Sequence, residues 1–200
     1  MGKAVLMSIR PEWCALIANG LKTVEVRKTA PRQQTPYKVY LYCTLQETRK
    51  DAVNLPITRE EMLHDIPLNG MKCMSKYING KVWAEFICDR IDKYWLNSSG
   101  CRALSQKSCV PANELHIYAQ PNEWLFGWHI SDLKIYDTVK ELRKFIPFCR
   151  FSADGECLAG MDIGCGCKRY DCNPDLSLNA VFCDRRMYRP PQSWCYVEEL

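Results

Sequence analysis

Three ionisable residues close together near the N-terminus give the strongest chemical signal in the sequence. Lys22, Glu25 and Arg27 follow a glycine within one short segment and alternate with valines. Their side chains supply complementary chemistry. A lysine held close to an apolar interior can act as a base or nucleophile, a glutamate can accept the exocyclic amine of cytosine, and an arginine can bind a phosphate through two parallel hydrogen bonds.

The alternation in this segment predicts a strand with one polar face. Side chains of a strand point alternately to its two sides, so Thr23, Glu25 and Arg27 are expected on one face and Lys22 and Val24 on the other. Because Lys22 lies at the turn that opens the strand, its side chain could still reach the cleft that Glu25 and Arg27 face. The plainer alternative is that Glu25 and Arg27 form an ordinary ion pair at the rim of a barrel.

The strand and helix before this segment are predicted to contribute residues to the same wall of the cleft. Residues 3–9 form a buried apolar run typical of a strand, and residues 11–19 form a short helix with a proline in its first turn and a glycine after its last. This arrangement places Ser8 and Arg10 at the end of the entering strand and Trp13 on the helix that lines the cleft. All three are candidate ligand-binding residues, together with Thr23 and Arg27.

The remaining pattern favours a mainly β fold with short helices, of the α+β class. We expect a single domain over residues 1–200, built as a small β-barrel with short helices at its rim, because the regular strand–helix alternation of a doubly wound parallel sheet is absent. Further strands are predicted at residues 39–44, 81–92, 124–136 (one long strand, or two bent at Gly127) and 194–198, and helical segments at 58–65, 111–119 and after the capping-box pattern of 138–141.

A cysteine-rich segment over residues 149–188 is predicted to be an insertion before the closing strand. Its spacing offers enough thiolates for one structural zinc ion, with Cys157, Cys167, Cys172 and Cys183 as expected ligands and Cys165 as a substitute. The sequence lacks a Cys-x-x-Cys pair, so two alternatives stay open: free thiols in a loosely ordered loop, and redox-active or disulfide-bonded pairs.

Composition narrows the class of protein. The chain of 200 residues has a net charge of +4, which permits contact with phosphate without requiring it. It contains neither an apolar run of the roughly 20 residues that cross a bilayer nor the pattern of a secretory signal. A cytoplasmic protein without membrane contact is therefore expected, in a compartment where its 13 cysteines would stay largely reduced.

The segment from Met7 to Arg27 resembles the signature of ASCH domains, relatives of the PUA RNA-binding fold. The hallmark of that family is a Gly-x-Lys-Thr-x-Glu-x-Arg run after a short helix, and residues 20–27 match it. Residues 80–86 and 128–133 resemble later core strands, and residues 189–198 resemble the closing strand of a bacterial and phage-borne subgroup. The resemblance covers about residues 1–44, 80–145 and 189–200, and implies a cleft between barrel and helices for a nucleotide or single-stranded RNA.

The resemblance also implies a possible activity. Some small ASCH proteins are amidohydrolases that deacetylate N4-acetylcytidine with a motif lysine, a threonine two or three places on, and a glutamate from a later helix. Lys22 matches the lysine, Glu25 holds the place of the threonine beside Thr23, and Glu114 lies where the later glutamate falls. The implied catalytic set is thus Lys22, Glu25 and Glu114.

Two functional hypotheses follow from this comparison with the family. The loss of the threonine favours a binding protein for RNA or a nucleotide or nucleoside, whereas the retained lysine favours an amidohydrolase, so the question of enzymatic activity stays open. Glu85, His116 and His129 are alternative proton shuttles. A third hypothesis, a purely structural or host-interaction protein, predicts that changes at Lys22, Glu25 and Arg27 have no effect.

Overall fold

The structure, a computed structural model, describes residues 2–45, 78–147, 186–187 and 189–200. Its strands are β1 (Lys3–Ile9), β2 (Val24–Arg27), β3 (Tyr37–Cys43), β4 (Val82–Cys88), β5 (Ile91–Trp95), β6 (Trp124–His129), β7 (Ser131–Lys140) and β8 (Trp194–Glu198). Five of them form one sheet in the order β7-β4-β3-β1-β8, and three form a second sheet in the order β2-β6-β5. β1 and β3 are parallel, whereas the other neighbouring strands are antiparallel.

Three α-helices and one short 3-10 helix accompany the sheets in the described part of the chain. They are α1 (Pro11–Ala18), α2 (Ser98–Ser108), α3 (Ala112–Ala119) and the 3-10 helix Leu142–Lys144. α1 connects β1 in the larger sheet to β2 in the smaller one. The start of α2 is capped by Asn97, whose side-chain oxygen accepts a hydrogen bond of 2.8 Å from the amide of Gly100.

Buried side chains fix how the two sheets and the helices pack. One core cluster contains Met7, Leu41 and Trp128 and so joins the two sheets. A second cluster, with Leu6 and Tyr40, covers the other face of the larger sheet, as expected from the alternation of strand side chains. A third cluster packs α2 and α3 against the smaller sheet through residues including Val24, Leu104, Leu115 and Leu125.

The packing of Val24 has a direct consequence for the residue that follows it. With Val24 fully buried beneath α2 and α3, the neighbouring Glu25 must point to the opposite face of β2.

The predicted α+β class, mainly β with short helices, agrees with these elements. The closed barrel is not confirmed, because the described strands form two separate hydrogen-bonded sheets. The capping-box helix at residues 58–65 falls outside the described residues, as does the cysteine-rich insertion at residues 149–188 except for residues 186–187. Within the described residues, no helix is long and apolar enough to span a membrane.

Two predictions of element bounds were wrong in detail, and a third was confirmed in one of its two alternatives. Residues 81–92 form two strands, because β4 ends before Asp89 and Arg90 and the chain then continues as β5 in the other sheet. Residues 124–136 form two strands, β6 and β7, which is one of the two predicted alternatives, but the strands separate at Ile130 and not at Gly127. Residues 138–140 extend β7, so the helical turn begins only at residue 142 and the capping-box interpretation fails.

Gly127 is not the bend that the sequence predicts. It pairs regularly with Val26 in the smaller sheet. A Cβ atom at this position would lie 2.7 Å from the Tyr94 ring and 2.8 Å from Val24, so the glycine allows close packing across the sheet.

Candidate functional site

A cavity of about 380 Å³ lies where the predicted charged segment meets three other parts of the chain. It is bounded by the end of β1 with the start of α1, by β2, by α3, and by the segment that leads into β8. We call it the motif cleft. Its lining residues are Ser8, Ile9, Arg10, Trp13, Lys22, Glu25, Val26, Arg27, Thr44, Val110, Glu114, Leu115, Tyr118, Gln192 and Ser193.

A tight turn after α1 brings the charged residues to this cavity. Gly20 has a φ of 71°, a left-handed conformation that glycine adopts without steric cost. The amides of Leu21 and Lys22 then both donate to the carbonyl of Leu16, at 2.9 and 3.1 Å. A connection of only five residues, 19–23, therefore joins the helix to the strand, and Lys22 enters the cavity beside Glu25.

Lys22, Glu25 and Arg27 form a buried charged triad with the carboxylate between the two cations. Lys22 Nζ lies 3.2 Å from Glu25 Oε2, and Arg27 Nη2 lies 3.2 Å from Glu25 Oε1. The three residues are only 2%, 6% and 8% exposed. Because charges so far from water are costly unless paired, Glu25 is the group that keeps both cations in place.

Backbone carbonyls hold the outer ends of the triad. Lys22 Nζ donates a hydrogen bond of 2.8 Å to the carbonyl of Ser108, the last residue of α2. The C-terminal end of a helix carries partial negative charge and so favours a cation. Arg27 Nη2 donates to the carbonyl of Ser8 at 2.6 Å. Lys22 Nζ is therefore held between a carbonyl and a carboxylate.

The triad leaves polar atoms of the cavity without hydrogen bonds. Glu25 Oε2 and Arg27 Nε are buried and have no hydrogen-bond partner among the described residues. Lys22 Nζ is close enough to Glu25 Oε2 for an ion pair, but it is not aligned for a hydrogen bond, so the carboxylate oxygen keeps accepting capacity. A buried polar atom without a partner costs about 1–3 kcal/mol, and a ligand that met it would recover part of that cost.

The segment before β8 closes one side of the motif cleft. The Ser8 hydroxyl donates to the carbonyl of Pro191 at 2.6 Å, and Arg27 Nη1 donates to the Ser193 hydroxyl at 3.4 Å. Sequence reasoning missed Gln192 and Ser193 as lining residues. The available signal was their position beside the Pro-Pro pair that precedes the closing strand.

Most of the residues predicted for the site do meet at the motif cleft. Those that line it are Ser8, Arg10, Trp13, Lys22, Glu25, Arg27 and Glu114. Trp13 also contacts the triad, with Lys22 Nζ 5.1 Å from its ring centre. Thr23 does not line the cleft: it is exposed, and its hydroxyl donates to the carbonyl of Lys107 at 3.4 Å.

The other candidate residues lie elsewhere. Glu85 accepts a hydrogen bond of 2.5 Å from the Tyr136 hydroxyl on the larger sheet, and His129 Nε2 lies 2.8 Å from Asp92 Oδ2. His116 is exposed on α3 and is not among the lining residues.

The predicted zinc ligands remain a prediction. Cys157, Cys167, Cys172 and Cys183 all fall outside the described residues. Within residues 2–45, 78–147, 186–187 and 189–200, no group of three His, Cys, Asp or Glu side chains could hold a metal ion.

Comparison with known proteins finds solved structures that are similar to this chain. No protein-family model matches the sequence, and no curated protein matches it. The crystal structure of ASCH from Zymomonas mobilis is similar over 70% of this chain and 77% of its own, with 14% identity and a TM-score of 0.48. Two single-substitution variants of that protein are each 13% identical to this chain and similar over 70% of it. One has a TM-score of 0.47 and is covered over 76% of its length, and the other has a TM-score of 0.48 and is covered over 78%. The structural neighbours of the chain are thus ASCH domain proteins, the family that residues 20–27 resemble.

Proposed function

We propose that the motif cleft binds a nucleotide or a nucleotide unit of single-stranded RNA. The observation that carries this proposal is the buried charged triad, in which two cations share one carboxylate and polar atoms stay unpaired inside a cavity of about 380 Å³. A cavity of this size matches the lower range of small-molecule sites, which combine apolar walls with a few convergent polar groups.

The charge balance of the cleft favours an anionic ligand. Lys22 and Arg27 carry two positive charges against the single negative charge of Glu25, so the triad has a net charge of +1. Arg10 and Glu114 line the same cleft and are both exposed, and Arg10 forms no ion pair with a described residue; with these two residues counted, the cleft has three cations against two carboxylates and keeps a net charge of +1. A phosphate group would meet this excess of positive charge, and guanidinium groups bind phosphate through paired hydrogen bonds.

The Glu25 oxygen that accepts no hydrogen bond, Oε2, favours a ligand that also carries an amine. A carboxylate accepts hydrogen bonds from the exocyclic amine of cytosine. The Trp13 ring lines the same cleft and offers a surface on which a base could stack, a contact worth about 1–3 kcal/mol per base. The likeness of residues 20–27 to the ASCH hallmark supports the same class of ligand.

Arg10 gives the least disruptive test of RNA binding, because its side chain lines the cleft without supporting the triad. We expect Arg10→Gln to weaken the binding of a short single-stranded RNA about tenfold or more, since a hydrogen bond to a charged group contributes roughly 1.5–3 kcal/mol. Fluorescence anisotropy of a labelled oligonucleotide across salt concentrations would measure the loss. The salt dependence should also become less steep in the variant.

Arg102→Gln is the matched control, because Arg102 is exposed on α2 and does not line the motif cleft. Its affinity for RNA should equal that of the wild type. Equal effects of the two substitutions would show that binding depends on overall charge and would contradict a specific role for the cleft.

The second candidate function is amide hydrolysis, which the meeting of Lys22, Glu25 and Glu114 at one cavity favours. A nucleophilic lysine needs its lone pair directed at the substrate, however, and Lys22 Nζ is held between the Ser108 carbonyl and the Glu25 carboxylate. We therefore expect no deacetylation of N4-acetylcytidine, free or in RNA, when mass spectrometry follows the incubation. Turnover by the wild type and none by Lys22→Ala would contradict this expectation and establish an amidohydrolase.

A further inference from the structure

A second cleft, of about 500 Å³, opens on the larger sheet and shares no lining residue with the motif cleft. We call it the sheet-face cleft. β3, β4 and β7 contribute Lys38, Glu85, Lys134, Tyr136 and Lys140 to its walls. Tyr136 belongs to the core cluster that covers this face of the sheet. The cleft therefore has a packed aromatic floor with lysines around it.

Glu85, one of the two lining residues with a carboxylate side chain, is already engaged. Glu85 Oε2 accepts a hydrogen bond of 2.5 Å from the Tyr136 hydroxyl, while Glu85 Oε1 lies 3.9 Å from Lys38 Nζ. Lys38 Nζ also pairs with Glu199 at 3.1 Å. The ammonium groups of Lys134 and Lys140 form no ion pair with any residue in the described ranges, the exposed Asp137 of the lining included.

Aromatic rings hold Lys140 at the floor of the cleft. Its Nζ lies 3.9 Å from the centre of the Tyr136 ring and 5.9 Å from that of Tyr40. Burial lowers the pKa of Lys140; Glu85 opposes this, whereas Lys134, Lys38 and Lys144 lower it further. Among the charged groups that act on this pKa, three are positive and one is negative.

We propose that the sheet-face cleft is a second anion site, which binds a phosphate group between Lys134 and Lys140. Both lysines donate without competition from a paired carboxylate, and the Thr138 hydroxyl lines the same cleft as a further donor. Phosphate suits this arrangement because its several oxygens accept from separated donors at once, and lysine is a common phosphate ligand. The phosphate belongs either to a nucleic-acid backbone or to a free phosphorylated molecule.

Pyrophosphate protection of individual lysines from chemical acetylation tests this proposal at the site itself. We expect pyrophosphate at about five times Kd to slow the acetylation of Lys134 and Lys140 about sixfold, because about one sixth of the sites then stay free, with mass spectrometry resolving each lysine. Lys93 is the matched control, because its Nζ also lies over aromatic rings, 4.6 Å from Trp95 and 4.1 Å from Trp124, outside this cleft. Its rate should not change.

The Lys140→Gln variant adds a second readout, since glutamine keeps much of the stem that packs on the tyrosines. In this variant, the acetylation rate of Lys134 with pyrophosphate should approach the rate measured without it. Equal protection of Lys93 in the wild type, or unprotected Lys134 and Lys140 at saturating pyrophosphate, would overturn the proposal. If pyrophosphate protects both lysines, a short single-stranded RNA distinguishes the two sources of phosphate. Protection by the RNA too assigns the phosphate to a nucleic-acid backbone, whereas protection by pyrophosphate alone assigns it to a free phosphorylated molecule.

Discussion

Replacing Glu25 with glutamine is expected to lower the free energy of unfolding by about 3–5 kcal/mol, the usual cost of breaking a buried ion pair by removing one partner. Glutamine has nearly the shape of glutamate, so the change removes charge rather than volume. It leaves Lys22 and Arg27, both less than 10% exposed, without a counter-charge. Urea denaturation followed by circular dichroism would measure the loss.

Two matched variants separate this effect from a general cost of substitution. Lys22→Met should cost less than Glu25→Gln, because Arg27 still neutralises Glu25 at 3.2 Å. Glu123→Gln, at an exposed glutamate, should change stability by no more than about 0.5 kcal/mol. A loss for Glu25→Gln no greater than that for Glu123→Gln would contradict the account of a buried triad.

Local sequence patterns were sufficient to predict much of the motif cleft. The bounds of β1 and α1 follow from an apolar run, a helix-starting proline and a glycine whose left-handed conformation ends the helix. Glu25 and Arg27 face the cavity as strand alternation predicts. Lys22 reaches it because it precedes β2 at the turn, where alternation does not apply.

Long-range contacts explain what local patterns could not show. α2 was not predicted, since its sequence is mostly polar and contains a glycine, yet its last carbonyl holds Lys22. Ser193 meets Arg27 across 166 positions of sequence. Thr23 was assigned to the cleft by alternation, but its backbone amide and hydroxyl both bond to the carbonyl of Lys107, which keeps it outside.

The proposed ligand chemistry leads to a second large effect, on the choice among small nucleotides. Cytidine 5′-monophosphate carries both the phosphate that the excess positive charge favours and the amine that Glu25 Oε2 can accept. Cytidine lacks the phosphate, and uridine 5′-monophosphate replaces the amine with a carbonyl that would face the carboxylate. Each loss should weaken binding about tenfold or more, because a charged group is left without its partner.

Isothermal titration calorimetry of the wild-type protein with these three compounds tests the central claim most directly. The account predicts saturable binding of cytidine 5′-monophosphate at one site, with uridine 5′-monophosphate and cytidine each at least about tenfold weaker. Arg10→Gln should reduce the affinity for the two phosphorylated compounds and leave cytidine unchanged. Equal affinity for all three compounds, or no detectable binding of cytidine 5′-monophosphate, would contradict the assignment of the motif cleft as a nucleotide site.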